Sequence, residues 1–365
     1  MKLIHVVGAR PNFVKVAPVH RAIAKRTAFE QTIVHTGQHY DRNMSAVFFE
    51  QLGLAEPDRN LGVGSDSHAR QTAAVMVAFE QVVQETEPDL VLVYGDINST
   101  VAAALVCAKL GVPVAHVEAG LRSRDRSMPE ELNRLVTDQL ADLLLTPSPD
   151  ADENLLAEGI PAERIRRVGN VMIDTLVRLL PRALKGEVLQ RLHLEGSEYA
   201  VLTMHRPGNV DDETTLARLL EALAEIGRDV PVVFPVHPRT RQRLVDLGVS
   251  VDDNAIRMIE PLGYLEFLAL QSQARLVLTD SGGIQEETSY LGVPCLTIRP
   301  NTERPITVEM GTNRLVGRDP QRVLDAARDV LSGAACWDHR PVGGIPLWDG
   351  RAGERIAELL LAMYA

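Results

Sequence analysis

Short apolar runs alternate with longer helix-like stretches along this chain, and the alternation constrains the fold more than any other feature. Five apolar runs precede residue 150, separated by helix-like stretches such as Ala69–Gln84 and Thr100–Lys109. The runs are residues 3–7 (LIHVV), 32–36 (TIVHT), 90–95 (LVLVYG), 112–118 (VPVAHVE) and 143–146 (LLLT). The βαβα order predicts a parallel sheet, and nearly continuous apolar strands predict helices on both of its faces.

A second series of the same kind begins near residue 199. Its apolar runs are residues 199–204, 230–236, 255–259, 274–279 and 294–298. A chain of 365 residues, 45% of them hydrophobic, is long enough for two such cores. We therefore predict an α/β protein with two doubly wound parallel-sheet domains, residues 1–170 and 171–350. We expect the helix-like segment 352–365 to complete the first domain.

Composition and motifs exclude several classes of function. A net charge of −11 argues against nucleic acid or an anionic membrane as the main partner. The cysteines Cys107, Cys295 and Cys336 form no CxxC pair, which argues against a zinc site and a disulfide framework. Neither GxGxxG nor GxxxxGK[ST] occurs, so the sequence does not indicate nicotinamide or ATP chemistry. With no long apolar segment, we expect a cytoplasmic protein that does not bind membranes.

Polar residues and glycines follow almost every predicted strand. In open α/β sheets ligands bind beyond the carboxyl ends of the strands, so these residues are candidates for a site. We expect the two rims to face each other across a cleft. The residues concerned include Gly8, Arg10, His35, Gly37, Asp96, Glu118, His205, Arg206, His237, Arg239 and Asp280.

The stretch TDSGGIQEE (279–287) follows a strand and begins a helix, which is typical of an anion site. Backbone amides of Ser281–Gly283 and the helix dipole would bind a phosphate or pyrophosphate. The alternative is an ordinary tight turn with Ser281 as the helix N-cap. Glu287 is a candidate to bind a ribose diol, or else it is a surface charge. Arg10 and Lys15 are candidates for a diphosphate, or else surface residues.

Three carboxylates, Asp96, Glu118 and Glu130, form a candidate acid–base set. Each has a plain structural alternative as a salt bridge or a helix cap. Asp96 precedes a helix that begins near Asn98, and Glu130 follows Pro129 at the start of another. His205 is a candidate acid, base or phosphate donor, or else a structural histidine.

Ten motifs in order from residue 3 to about 317 resemble the non-hydrolysing UDP-N-acetylglucosamine 2-epimerases. They are GARPNFVKVAP, TGQHYD, VYGDINST, HVEAGLRS, MPEELNR, VGNVMIDTL, TMHRPGNVDD, PVHPR, LTDSGGIQEE and TERPITVEMGTNRLVG. The resemblance implies a GT-B-like fold, a homodimer and no metal or redox cofactor. It also implies interconversion of UDP-GlcNAc and UDP-ManNAc by anti-elimination of UDP, through 2-acetamidoglucal, and re-addition.

The resemblance also implies individual roles. Diphosphate and nucleotide contacts fall on Arg10, Ser281, Gly282, Gly283 and Arg304, with Glu287 on the ribose and backbone near Phe267 on the uracil. Catalytic positions fall on Lys15, Asp96, Glu118, Glu130 and His205. We assign one proton transfer to Asp96, the second transfer and sugar contacts to Glu118 and Glu130, and stabilisation of the leaving UDP to His205. Which carboxylate serves which face of C2 stays open.

In bacterial relatives a second UDP-GlcNAc binds beside the first and activates the enzyme. The matching positions are Gln38, His39, Arg70, Arg206 and His237. Two departures weaken this expectation: the common HRxEN motif has Gly208 in place of glutamate, and Asp41 stands where many bacterial relatives have glutamine.

Four other functions are compatible with parts of the sequence. One is the 2-epimerase of UDP-2,3-diacetamido-glucuronate, whose TEW-type motif reads Thr302–Pro305 (TERP) here. The others are a GT-B glycosyltransferase, a non-catalytic UDP-sugar sensor and a hydrolysing epimerase that releases free ManNAc.

Overall fold

The computed structural model of this chain describes residues 1–37, 49, 51–248, 255–333 and 344–364, except the side chains of Arg10 and Tyr364. The chain divides into two compact units. The first unit comprises Met1–Arg178 together with Pro346–Ala365, and the second comprises Leu179–Ile345.

The first unit contains a parallel sheet in the order β3-β2-β1-β4-β5-β6-β7. Every residue of β4, β5 and β6 is buried, because helices cover both faces of the sheet. The strands are β1 (Lys2–Val7), β2 (Glu30–His35), β3 (Arg59–Asn60), β4 (Leu90–Tyr94), β5 (Val114–Val117), β6 (Leu143–Thr146) and β7 (Ile165–Arg167).

The helices of the first unit begin and end at residues suited to those positions. Prolines 129 and 149 open their helices, and Gly111 ends another at a φ of 71°, which favours glycine. The helices are α1 (Arg10–Ala24), α2 (His68–Thr86), α3 (Asn98–Leu110), α4 (Pro129–Leu140) and α5 (Pro149–Ala157), with a 3₁₀ turn at Ala162–Arg164. Helix α6 (Val171–Ala183) begins in the first unit and ends in the second.

The C-terminal helix, Ala352–Tyr364, packs on α1 in the first unit. Asp174 accepts hydrogen bonds from the backbone amides of Ala352 (3.0 Å) and Gly353 (2.7 Å), which satisfies amides at the start of the helix. A Cβ added at Gly353 would lie 2.8 Å from the carbonyl oxygen of Pro18, so the two helices approach closely.

The second unit repeats the arrangement with a parallel sheet in the order β10-β9-β8-β11-β12-β13. Its strands are β8 (Ala200–Thr203), β9 (Val232–Pro235), β10 (Ile256–Ile259), β11 (Leu276–Thr279), β12 (Cys295–Thr297) and β13 (Asn313–Leu315). Its helices are α7 (Val188–Arg191), α8 (Pro207–Val210), α9 (Glu213–Asp229), α10 (Pro238–Asp246), α11 (Tyr264–Ser272), α12 (Gly282–Leu291), α13 (Ile306–Glu309) and α14 (Pro320–Leu331). The C-terminal helix is therefore α15.

Aliphatic side chains fill the core of the second unit, as its low aromatic content requires. Leu219 and Leu223 from α9 pack with Phe234 of β9 and Leu278 of β11, all of them fully buried. Burial of each such side chain stabilises the fold by about 1.5–3 kcal/mol.

The predicted fold class, two Rossmann-like parallel-sheet units, is confirmed. All ten predicted strands are present, and β3, β7 and β13 are additional strands of two or three residues at sheet edges. In each sheet the order reverses at a central pair, β1 and β4 or β8 and β11, where ligands bind in folds of this class. None of the helices in the described ranges has the length and apolar character needed to span a membrane.

Candidate active site

Lys15 and Glu118 form a buried ion pair in the first unit. The Lys15 Nζ atom lies 2.8 Å from Glu118 Oε1, and both side chains are almost inaccessible to solvent. The ammonium passes over the end of β4, where a Cβ at Gly95 would lie 2.7 Å from Nζ. Glycine is required at this position both for that approach and for its φ of 64°.

Glu118 lies directly after β5 with a φ of 73°, a left-handed conformation that is rare for residues other than glycine. Its amide donates to the carbonyl of Leu145 at 3.0 Å, and its carboxylate is held by Lys15. Such strain persists only where surrounding contacts impose it, and it concentrates at functional sites.

Asp96 follows β4 and is held by helix α4. Its carboxylate pairs with the buried guanidinium of Arg134, and Asn133 Nδ2 donates to its carbonyl at 2.9 Å. The Asp96 side chain is 23% exposed, so a small molecule can reach it. The N-cap position of α3 is Ile97, so Asp96 does not cap that helix.

The two neighbouring glutamates of MPEELNR differ in their contacts. Glu131 is buried and accepts hydrogen bonds from the amides of Ser123 (2.9 Å) and Arg124 (2.8 Å). It also pairs with Arg134 at 2.6 Å. Burial alone would raise the pKa of Glu131, but these hydrogen bonds outweigh it and lower the pKa. Glu131 therefore fixes the loop that follows β5.

Glu130 is half-buried in the first turn of α4 and pairs with no residue in the described parts of the chain. The helix dipole favours a carboxylate at this position, which agrees with the alternative role of Glu130 at the start of a helix. The contacts thus leave Glu130, rather than Glu131, available to a ligand.

In the second unit, strand β11 leads into helix α12, as predicted. Ser281 occupies the N-cap position, but its side chain makes no capping hydrogen bond. A Cβ at Gly282 would lie 2.4 Å from Arg304 Nη1, so glycine lets this guanidinium lie against the start of the helix. Backbone amides, the helix dipole and a buried arginine together suit an anionic group.

A buried glutamate organises the arginines of the second unit. Glu303 lies 2.8 Å from Arg299, 2.7 Å from Arg304 and 3.5 Å from Arg206. Burial opposes ionisation, but the three guanidinium groups outweigh it and hold the pKa of Glu303 well below its usual range. Arg304 also pairs with the buried Glu286 at 2.8 Å. Three guanidinium groups and two buried carboxylates are therefore linked in one group.

His205 follows β8 and is oriented by Asp280. His205 Nδ1 lies 3.0 Å from Asp280 Oδ1, and Asp280 Oδ2 accepts from the amides of His205 (3.0 Å) and Arg206 (2.9 Å). Burial raises the pKa of Asp280, but the bonds from His205 and Arg206 outweigh it and lower the pKa. The His205 side chain is 44% exposed, so a ligand can reach the ring.

Glu287 is buried in α12, which rules out its alternative as a surface charge. It accepts a hydrogen bond from Tyr264 at 2.9 Å and another from Gln271. Burial raises its pKa, and these two bonds oppose the rise. Tyr264 belongs to α11, which also contains Phe267; the Phe267 amide donates to the Gly263 carbonyl at 2.9 Å.

The residues predicted for an activator are only partly described. Arg70 lies exposed at the start of α2 in the first unit, while Arg206 and His237 belong to the second. The His205 and His237 ring centroids are 5.8 Å apart. Gln38, His39 and Asp41 lie outside the described residues, as does the side chain of Arg10.

Gly208, the departure from the HRxEN motif, has a partner in the structure. A Cβ at Gly208 would lie 2.1 Å from Nη2 of Arg318. The guanidinium of an exposed residue after β13 thus occupies the space beside the His205–Arg206 loop. A positive charge stands where the common motif has a glutamate.

Sequence reasoning missed the residues that hold the candidate carboxylates and arginines in place. These are Glu131, Asn133, Arg134 and Glu303, while Asp280 was named only as a residue that follows a strand. Glu131 and Arg134 have opposite charges three residues apart on a helix, a spacing that brings side chains together. That signal was available in the sequence, whereas the partners of Glu303 depend on tertiary contacts.

Comparisons with known proteins agree with the resemblance. The family model described as UDP-N-acetylglucosamine 2-epimerase matches residues 21–361. The chain is 43% identical over 368 residues to the UDP-N-acetylglucosamine 2-epimerase of Methanocaldococcus jannaschii, with 99% of each chain covered. It is also 43% identical over 364 residues to a UDP-2,3-diacetamido-2,3-dideoxy-D-glucuronate 2-epimerase of Pseudomonas aeruginosa, again with 99% of each covered.

A solved structure shows the same fold. The crystal structure of the M. jannaschii UDP-GlcNAc 2-epimerase in complex with UDP-GlcNAc and UDP has a TM-score of 0.90 and 42% sequence identity. The match covers 99% of this chain and 100% of that one. The chain therefore belongs to the UDP-N-acetylglucosamine 2-epimerase family.

Proposed function

We propose that the chain catalyses the reversible 2-epimerisation of UDP-GlcNAc to UDP-ManNAc without a metal or redox cofactor. One observation carries the proposal. The carboxylates of Asp96 and Glu118 lie at the ends of adjacent parallel strands, each held by a buried cation, in a chain of this family. Carboxylates fixed in this way are suited to proton transfer at a sugar carbon.

The C2 proton is not α to a carbonyl, so its removal cannot rely on an enolate. Departure of UDP makes C1 electron-poor and thereby acidifies C2–H. We propose that the pair of electrons from the C2–H bond forms the C1–C2 double bond of 2-acetamidoglucal as the bond to UDP breaks. Return of a proton to the other face of C2 and re-addition of UDP at C1 then give the epimer.

In this scheme the second unit binds the leaving group. The amides of Ser281, Gly282 and Gly283 and the guanidinium of Arg304 stabilise the diphosphate, with His205 and Arg10. Glu287 accepts from the ribose hydroxyls, and the backbone near Phe267 contacts the uracil. The similar structure from M. jannaschii, solved in complex with UDP-GlcNAc and UDP, supports the binding of UDP.

The first unit supplies the proton transfers. We propose that Asp96 carries one of them and that Glu118 and Glu130 carry the second and contact the sugar. Lys15 holds the Glu118 carboxylate in place through its 2.8 Å contact. Several fixed carboxylates at one site let one of them be protonated while another is ionised.

Incubation of the protein with UDP-GlcNAc in D2O tests the proposal. We expect UDP-ManNAc to form, with deuterium at C2 of both sugars and no acceptor required. Asp96→Asn should lower the rate by about 100- to 10,000-fold while leaving UDP affinity within about twofold, because one proton transfer is lost. Asp142→Asn is the matched control: Asp142 binds the Val114 amide at the opposite end of β5.

Three outcomes would contradict this assignment. Absence of deuterium at C2 would indicate a transferase or a sensor. Release of free ManNAc and UDP would indicate a hydrolysing epimerase. Full activity in the Asp96→Asn protein would show that another group transfers the proton.

The second candidate is epimerisation of UDP-2,3-diacetamido-2,3-dideoxy-glucuronate. The relative from P. aeruginosa with that name is as similar in sequence as the M. jannaschii enzyme. Arg318 beside Gly208 also suits a sugar with an additional negative charge. Assay of both nucleotide sugars decides, and turnover of the uronate alone would overturn the assignment to UDP-GlcNAc.

We also propose that the chain acts as a homodimer that a second UDP-GlcNAc activates. Sedimentation at several concentrations tests the dimer. A sigmoidal dependence of the rate on UDP-GlcNAc concentration would support activation, and a hyperbolic one would contradict it.

A further inference from the structure

His116 lies in the middle of the first unit's sheet and contacts the loop after β4 and helix α4. It belongs to β5 and is fully buried. Its Nδ1 lies 2.6 Å from Asp138 Oδ1, and its Nε2 lies 2.8 Å from the carbonyl oxygen of Gly95. A carbonyl oxygen can only accept, so Nε2 donates to Gly95, while Nδ1 faces the Asp138 carboxylate.

Asp138, on helix α4, extends these contacts to the loop after β5. Its second oxygen accepts from the Gly120 amide at 3.1 Å and lies 2.7 Å from Arg122 Nη1. Burial opposes ionisation of Asp138, but His116 and Arg122 outweigh it and lower its pKa. Arg122 is paired in turn with Glu158 at 2.7 Å.

Gly95 and Gly120 both lie past the end of the strand ladder. The last register pair of β4 and β5 is Tyr94 with Val117, and one further backbone bond joins the Gly95 amide to Val117. Beyond that point the sheet no longer fixes the distance between the two loops. The path from the Gly95 carbonyl through His116 and Asp138 to the Gly120 amide joins them there, beside the contacts of Arg134 with Asp96 and with Glu131.

The two anchored glycines flank the candidate catalytic carboxylates. Gly95 directly precedes Asp96, and Gly120 is two residues after Glu118. Gly120 packs closely against its neighbours: a Cβ there would lie 2.4 Å from the carbonyl oxygen of Ala151, and its φ is 84°. It therefore has little room to absorb a shift of Asp138. A change in the length of the His116–Asp138 link therefore moves Asp96 relative to Glu118.

We propose that His116 and Asp138 are positioning residues that fix the separation of the Asp96 and Glu118 carboxylates during epimerisation; this rests on the catalytic assignment of those two. Both residues are fully buried, so they contact neither the substrate nor the proton that is transferred. Its effect is geometric, and displacement of reacting groups by about 1 Å can cost about 100-fold in rate.

His116→Gln shortens the bridge, so one side chain can no longer contact both Asp138 and the Gly95 carbonyl. We expect kcat, and the rate of deuterium uptake at C2, to fall by about 100-fold. KM for UDP-GlcNAc and the affinity for UDP should stay within about twofold, because the groups proposed for the diphosphate belong to the second unit.

His5→Gln is the matched control, since His5 is also fully buried in this sheet and bonded at both ring nitrogens. Its partners are the Tyr94 hydroxyl (2.7 Å) and Gln31 Oε1 (2.9 Å), which are side chains rather than strand-end backbone. We expect His5→Gln to lower the melting temperature but to keep kcat within about twofold of the wild type.

Asp138→Asn provides a second test if His116→Gln fails to fold. Its loss in kcat and that of the double variant should be about equal to the His116→Gln loss, because the two residues act as one link. Wild-type kcat in either single variant would overturn the proposal, as would equal losses in His116→Gln and His5→Gln. If the wild-type protein itself gives no epimer, the proposed function fails first.

Discussion

The carboxyl ends of the two sheets have the same topology and opposite chemistry. In the first unit, carboxylates stand at the strand ends and buried cations hold them: Lys15 holds Glu118, and Arg134 holds Asp96. In the second unit the arrangement is reversed. Arginines stand around the start of α12, and the buried Glu303 holds them.

The difference shows how one fold acquires two kinds of chemistry. In the Arg134–Asp96 pair the carboxylate is the accessible partner, since Asp96 is 23% exposed while Arg134 is buried; both members of the Lys15–Glu118 pair are buried. Arg206 is 28% exposed while its partner Glu303 is buried. The first edge therefore offers a ligand an accessible carboxylate, and the second offers an accessible guanidinium.

The largest expected effect concerns Arg134, which holds Asp96 at the carboxyl edge of the first sheet. Arg134→Met removes the partner of both Asp96 and Glu131 and leaves the buried Glu131 carboxylate uncompensated. We expect stability to fall by about 3–5 kcal/mol in chemical denaturation. We also expect kcat to fall and UDP affinity to be kept. The exposed Arg351→Met is the control; an equal loss there would show that burial does not matter.

A pH titration of stability sharpens the comparison next. Burial raises the pKa of Asp174 from 3.8 to about 6, despite amide bonds from Gly353 and Ala352. Between these values the folded state keeps a proton that the unfolded state has lost, so stability falls as pH rises. The contribution is present below pH 3.8 and lost above about pH 6, a change of about 3 kcal/mol.

Asp174→Asn isolates that contribution because asparagine does not titrate. The difference in unfolding free energy between the two proteins should change by about 3 kcal/mol between pH 3.5 and pH 7. A constant difference over this range would contradict the raised pKa.

Glu303→Gln tests the support behind the second edge. It removes the charge that three arginines share but keeps the size of the side chain. We expect a loss of about 1–3 kcal/mol in stability. UDP affinity should fall in this variant, whereas the Arg134→Met protein should keep its affinity for UDP. The same loss of UDP affinity in both variants would contradict the proposal that only the second unit binds UDP.

The smallest effect concerns the two glycines beside arginines in the second unit. Gly208→Ala displaces the exposed Arg318, whose flexible end can move, so stability should change by less than about 0.5 kcal/mol. Gly282→Ala meets Arg304 and Glu303, which are buried and fixed, and should cost about 1–3 kcal/mol. Equal melting temperatures for the two variants would contradict the view that Arg304 is held more rigidly than Arg318.

The central strands were predictable from the sequence because their burial leaves a continuous apolar run. Strands β4 and β6 match their predicted segments to within a residue. The edge strands β3, β7 and β13 were not predictable, since two or three residues carry no periodic signal. Their place depends on backbone pairing with a neighbouring strand.

At the site, residue types and strand ends indicated the candidates but not their partners. Asp96 and Glu118 follow strands and are visible in the sequence. Arg134 reaches Asp96 from 38 residues away, and Lys15 reaches Glu118 from 103 residues away. Contacts of such separation depend on how helices pack on the sheet, which periodicity in one sequence does not specify.

The place of the C-terminal helix has a consequence for biosynthesis. Helix α15 packs on α1, and its first amides bind Asp174, yet it is translated after the whole of the second unit. On the ribosome the second unit can close as soon as its own residues emerge. The surface of the first unit beneath α15 stays uncovered until residues 352–364 have left the exit tunnel.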